Sequence, residues 1–117
     1  MIPDIAGVGI DSVEIARMRD ILSRDTEHFL NTTFTQRERT YCDSHADPAP
    51  HYAGTFAAKE AVRKATGELL RPFKYVEVVR TETGKPEVWA EGVRSEALHL
   101  SITHTTDTAS AIVIHTP

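Results

Sequence analysis

Two carboxylates carry most of the chemistry this sequence can do. Asp11 follows a short apolar run that contains Gly9 and Ile10, and Glu60 stands in a strongly helical stretch with Lys59 and Lys64 beside it. One carboxylate at a strand end and another on a helix, with lysines next to the second, suit a divalent metal and a polyphosphate. Hard cations such as Mg²⁺ take oxygen ligands, usually one or two carboxylates together with substrate phosphates. The wide separation of the two positions does not pair them; the segments around them do. Taken alone, Glu60 and Lys64 are i,i+4 neighbours on one helix face, an ion pair worth roughly a few tenths of a kcal/mol. Asp11 alone reads as an N-cap for a helix beginning near Ser12, a role Ser12 itself can also fill.

The elements that must position these groups follow from the hydrophobic pattern. Residues 5–10 read as a short first strand. Over residues 12–24, Val13, Ile15, Met18, Ile21 and Leu22 recur at helical spacing, with Arg17, Arg19 and Arg24 between and after them. Thr35 and Glu38 have the capping-box form and predict a helix over 36–43. Residues 43–50 form a loop rich in Asp, Pro and Ala, and a long helix runs from His51 to Thr66, with Gly67 as its stop. Residues 75–81 and 87–90 are strands joined at a turn over 83–86, and residues 92–98 read as a short helix. Residues 100–103 and 109–114 are closing strands around a turn at 105–107. Two or three helices with a mostly antiparallel sheet make an α+β fold, the sheet packed with a long central helix and shorter helices.

A chain of 117 residues is expected to be one domain. That is small for an enclosed nucleotide-sized site, which makes a site shared between subunits plausible. The net charge of −4 gives no general attraction to nucleic acid. A single cysteine, Cys42, excludes an internal disulfide and fits a reducing compartment. No segment approaches the length of a membrane span, and the first residues carry no signal-peptide pattern, so a cytoplasmic protein is expected.

Four motifs occur in order along the chain. They are Gly9 and Asp11 with Arg17; Phe56, Ala57, Lys59, Glu60, Ala61, Lys64 and Ala65; Gly84, Lys85 and Pro86; and His99, Ser101 and His104. In these the sequence resembles the holo-acyl-carrier-protein synthase family, the small 4′-phosphopantetheinyl transferases, over essentially its whole length. The resemblance implies Mg²⁺ held by Asp11 and Glu60, with Lys64 catalytic beside them. It implies coenzyme A contacts from Lys59, Arg63, Gly67, Lys85 and Pro86, and from His104 and Thr105 of a neighbouring subunit in a homotrimer. It also implies docking of an acidic acyl carrier protein on the first helix, by Arg17 and, more weakly, Arg24. The two histidines lack the thiolate or further nearby histidine partners that zinc requires.

Three positions depart from the family pattern. Thr55 stands where arginine is usual; Arg63 replaces a small residue and offers a charge from a different place; the segment after Lys64 keeps only Gly67 of two glycines. The implied reaction is Mg²⁺-dependent transfer of 4′-phosphopantetheine from coenzyme A to a carrier-protein serine, with release of 3′,5′-ADP, in fatty acid or polyketide synthesis. Two other readings of the same residues are a repurposed fold acting on a carrier-bound acyl group and a non-catalytic carrier-protein binding module.

Overall fold

The computed structural model describes residues 4–117. In chain order the elements are β1 (Gly7–Glu14), α1 (Ile15–Leu22), α2 (Glu27–Thr33), α3 (Gln36–Asp43) and α4 (Ala49–Thr66). A 3₁₀ turn (Phe73–Tyr75) leads to β2 (Val76–Arg80), β3 (Pro86–Ala90), β4 (Val93–Arg94), β5 (Leu98–His104) and β6 (Thr108–His115). The strands form two antiparallel sheets, β1–β6–β5 and β2–β3–β4, so the expected α+β class is borne out.

The long helix α4 is the centre of the molecule. Ala57, Ala58, Ala61, Val62 and Ala65 bury themselves against Val78, Val88, Ala111 and Val113 of the two sheets. Its first half meets a second core of Ile15, Met18 and Cys42 from the shorter helices and Phe34 from the link between α2 and α3. Small side chains let the helix lie close to β1, and two glycines make that approach possible. A Cβ on Gly9 would lie 1.9 Å from the Ala61 carbonyl oxygen, and one on Gly7 the same distance from that of Ala65. Only hydrogen fits between strand and helix at these points.

A buried ion pair ties the other elements to α4. Glu38 is the third residue of α3, and its carboxylate accepts from the Thr35 amide at 2.9 Å as part of the expected capping box. It also accepts from Lys59 Nζ of α4 at 2.6 Å and from the Val78 amide of β2 at 2.7 Å. Burial pushes the Glu38 carboxyl up and the Lys59 ammonium down, against the mutual attraction of the pair. The added hydrogen bonds make the charged form of such a pair tenable inside a protein.

Several boundaries differ from the sequence expectation. β1 continues to Glu14, pairing residue for residue with β6, so Asp11 lies inside the strand rather than at its end. Helix α1 accordingly starts at Ile15, capped by neither Asp11 nor Ser12, and ends at Leu22, leaving Arg24 beyond it. The helix expected over 92–98 is absent. Glu91 and Gly92 both take positive φ, 52° and 79°, the tight hairpin turn that returns Val93–Arg94 alongside Trp89 and Ala90. Helix α2 was not expected, because its polar sequence carries only two large apolar residues, Phe29 and Leu30, to the core.

Gly9→Ala is expected to lower stability by at least about 2 kcal/mol, since backbone rather than a flexible side chain must move. Thermal melting with a Tm within about 2 °C of the unmodified protein, less than about 1 kcal/mol for this size, would contradict the close approach. Lys59→Met leaves the Glu38 carboxylate buried and unpaired, and is expected to cost about 3–5 kcal/mol near neutral pH. The carboxyl is then more basic folded than unfolded, so the folded state binds the extra proton and the deficit narrows as pH falls. Denaturant melts at several pH values test this; a deficit that widens on acidification refutes it.

Candidate functional site

The strand and helix geometry brings the two carboxylates together. Along β1, Gly7, Gly9, Asp11 and Val13 alternate inward. Gly7 touches α4 at Ala65 and Gly9 touches it at Ala61, one helical turn earlier. The next inward residue, Asp11, therefore falls beside the turn that carries Glu60. Both line a single cleft of about 370 Å³ whose other walls include Glu14, Arg17, Phe29 and Phe56. Glu14 and Phe29 were not singled out in the sequence; the capping position of Glu14 and the α2 origin of Phe29 are visible only in the fold.

Cations sit against both carboxylates. Lys64 Nζ donates to Asp11 Oδ1 at 3.2 Å and to the Ile10 carbonyl at 2.9 Å. Arg63 donates to Glu60 Oε1 at 3.3 Å and to the Leu69 carbonyl, and its guanidinium lies 4.4 Å from the centre of the Phe73 ring. Arg63 thus fastens Glu60 to the segment after Gly67, whose left-handed conformation (φ 75°) ends α4. Arg17 is exposed at the rim, and among the described residues it has no carboxylate partner. Arg24 lies outside this cleft and pairs with Asp20 at 2.7 Å. Arg19, between them in sequence, is bound by Asp47 at 2.6 Å.

The donor set fits a hard cation. Two carboxylates on one cleft leave room for water and phosphate oxygens, which is how Mg²⁺ is commonly held. No group of three or more His, Cys, Asp or Glu residues is arranged as a metal site among the described residues.

The other expected contacts are not gathered here. Lys59 is 1% exposed and its ammonium is committed to Glu38, so it is not available to a phosphate; this corrects the expectation that it faces the coenzyme. Lys85 and Pro86 line a separate small cavity with Arg94 and His99. His104 and Thr105 sit at the β5–β6 turn, with the His104 ring 6.0 Å from that of His51 at the start of α4. His51 precedes Glu60 by nine residues, about 13 Å along a helix axis. A single chain therefore brings together Asp11, Glu60, Lys64 and Arg17, with Arg63 behind Glu60, and leaves Lys85, Pro86, His104 and Thr105 elsewhere. Thr55 is buried, donating to the His51 carbonyl at 2.8 Å and touching Cys42. Burial pushes the Cys42 thiol up to about 12, which removes it as a nucleophile.

Residues 7–113 match the family described as the 4′-phosphopantetheinyl transferase superfamily. The holo-[acyl-carrier-protein] synthase of Thermodesulfovibrio yellowstonii is 41% identical, with 96% of this chain and 99% of the relative covered. That of Caldanaerobacter subterraneus subsp. tengcongensis is 38% identical, with 92% and 91% covered. Among solved structures, a holo-(acyl-carrier-protein) synthase from Bacillus anthracis in complex with CoA (3′,5′-ADP) superposes with a TM-score of 0.80 at 32% identity, covering 96% of both chains. The holo-[acyl-carrier-protein] synthase from Neisseria meningitidis gives 0.84 at 26% identity, covering 97% of this chain and all of that one. The fold, the carboxylate cleft and these similarities agree: the chain belongs to the holo-acyl-carrier-protein synthase family, enzymes of the 4′-phosphopantetheinyl transferase superfamily.

Proposed function

We propose that this protein transfers 4′-phosphopantetheine from coenzyme A to a serine of an apo acyl carrier protein, with Mg²⁺, and releases 3′,5′-ADP. The observation that carries the reading is the meeting of Asp11 and Glu60 at one cleft, with Lys64 bonded to Asp11, in a chain of this family. Asp11 and Glu60 would hold the cation. Bound there, Mg²⁺ supplies Lewis-acid stabilisation of charge on the pyrophosphate.

The chain's own groups do the rest. Lys64 leaves its bond to Asp11 for a phosphate oxygen, acting as a point charge. Glu60 accepts the proton of the serine hydroxyl as its oxygen bonds to the β-phosphorus. The bond from that phosphorus to the bridging oxygen breaks, and its electron pair leaves with 3′,5′-ADP. Arg63 restrains Glu60 and adds positive charge beside it. Arg17, an unpaired cation at the rim, guides an acidic carrier protein to the cleft. Catalysis of this kind rests on positioning and charge stabilisation. A cytoplasmic location accompanies the reading, and no helix among the described residues is long and apolar enough to cross a membrane.

The same reading includes a homotrimer whose sites lie between subunits. It is supported by the separation of His104, Thr105, Lys85 and Pro86 from the cleft. It is supported also by an exposed apolar strip: Val8 pairs with Ile114 and Ile10 with Ile112 across β1 and β6, all on the sheet face turned away from α4. Side-by-side large apolar residues of this kind mark association surfaces.

Incubation with coenzyme A, Mg²⁺ and apo carrier protein is expected to add one phosphopantetheine to the carrier by mass spectrometry, and EDTA to abolish it. Glu60→Gln is expected to lower kcat by at least about 100-fold with melting temperature kept; near-full activity in that variant would defeat the mechanism. Ile10→Asp combined with Ile112→Asp is expected to reduce the mass in light scattering to that of one chain and to remove activity with it. An unchanged mass would rule out this face as the interface.

A further inference from the structure

The two carboxylates that suit a hard cation each face a counterion from their own chain. Asp11 accepts from Lys64 at 3.2 Å and Glu60 accepts from Arg63 at 3.3 Å. These charges cancel in pairs, and Glu14 and Arg17 on the walls of the same cleft cancel likewise. The cleft thus holds oxygen donors for a divalent cation while presenting a bare cation with no net negative charge.

The two counterions are held differently. Lys64 is a half-exposed ammonium on a flexible stem. Arg63 is 24% exposed and is clamped: the Leu69 carbonyl accepts from it, and its guanidinium lies 4.4 Å from the centre of the Phe73 ring. Phe73 in turn stacks on Phe56, at 5.4 Å and 25°, and Phe56 lines the cleft beside Glu60. A positive charge is therefore built into the cleft wall next to Glu60, at one of the positions where this chain departs from its family pattern. The Arg63 Nε is buried with no hydrogen-bond partner. Arg63 also lines a second cavity, of about 180 Å³, together with Thr66 and Glu68, so its guanidinium has space and another carboxylate to turn to.

We propose that Arg63 makes divalent-cation binding at Asp11 and Glu60 conditional on a pyrophosphate ester, so that the cation is held well together with the coenzyme and poorly alone. This rests on the metal and coenzyme reading above. A bare divalent ion on Glu60 meets the clamped guanidinium as a like charge. A pyrophosphate offers opposite charge to both, and guanidinium pairs its donors with phosphate oxygens. The coupling is reciprocal: the cation strengthens coenzyme binding by the factor by which the coenzyme strengthens cation binding. If Arg63 did no more than restrain Glu60, its removal would loosen a ligand and weaken cation binding. Competition by its charge gives the opposite sign.

Mn²⁺, a paramagnetic stand-in for Mg²⁺, is titrated into the full chain with and without coenzyme A. The EPR signal of the free ion reads Kd, with coenzyme A and Mn²⁺ alone as the baseline. The unmodified protein is expected to bind Mn²⁺ at least about tenfold tighter when coenzyme A is present. Arg63→Gln keeps much of the stem against Phe73 and removes the charge. It is expected to bind Mn²⁺ alone at least about fivefold tighter, and to narrow the effect of coenzyme A by a similar factor. Arg63→Lys, which keeps the charge, stays within about twofold of the unmodified protein. Arg37→Gln, which removes the same charge from α3, leaves Mn²⁺ binding unchanged. An Arg63→Gln affinity that is unchanged or lower, or a gain matched by Arg37→Gln, overturns the role of Arg63 and leaves the carboxylate site standing. Mn²⁺ held as tightly by Asp11→Asn and Glu60→Gln as by the unmodified protein overturns the carboxylate reading, and the role of Arg63 with it.

Discussion

The close contact of β1 with α4 is the constraint on which the rest of the molecule depends. Two glycines on the inward face of the strand let the helix backbone approach to where a methyl group would collide with carbonyl oxygens. Once that distance is fixed, the strand's two-residue step and the helix's turn run in register. The third inward position then has to meet the exposed turn of the helix. Asp11 and Glu60 become neighbours through backbone packing, long before any ligand is considered. A strand held farther off by larger side chains would leave each carboxylate facing water alone.

The same helix separates two lysines that the sequence sets close together. Successive residues turn by about 100°, so Glu60 and Lys64 share a face while Lys59 and Lys64 do not. Lys64 reaches Asp11, which lines the cleft. Lys59 looks inward, where Glu38 meets it together with two backbone amides. One ammonium therefore joins α3, α4 and β2, and the other keeps a half-exposed contact with Asp11. In the proposed function, stability falls to one lysine and chemistry to the other, two identical side chains divided by helical phase.

That division explains what the sequence could and could not reveal. The capping box of Thr35 and Glu38, the stop at Gly67 and the hairpin around Gly84 depend on a few adjacent residues, and all were legible. The extent of β1 was not, because its second half is polar and is held by pairing with distant β6. The turn at Glu91 and Gly92 was read as part of a helix, since a positive φ at glutamate has no sequence signature. In the site, Asp11, Glu60 and Lys64 were visible through their motifs. The burial of Lys59 was not, because its partner lies in another helix. The approach of His104 to His51 was not legible either, because it joins the β5–β6 turn to the start of α4.

The chain also presents its unfinished parts in a consistent arrangement. One side of the β1–β6 pair packs on α4 and supplies Asp11; the other side carries aliphatic residues that remain in water. These two sides belong to the same strands, so an association through the apolar side sets neighbouring clefts at a fixed distance from the shared sheet. The β5–β6 turn, with His104 and Thr105, projects from the end of that same sheet, and the Asp107 carbonyl there accepts from the Ile15 amide where β1 passes into α1. Movement of the turn is thus restrained by the strand that carries Asp11. In the proposed assembly, a residue contributed across the interface would be placed as rigidly as one contributed from within, because both are fixed to one sheet rather than to a loop.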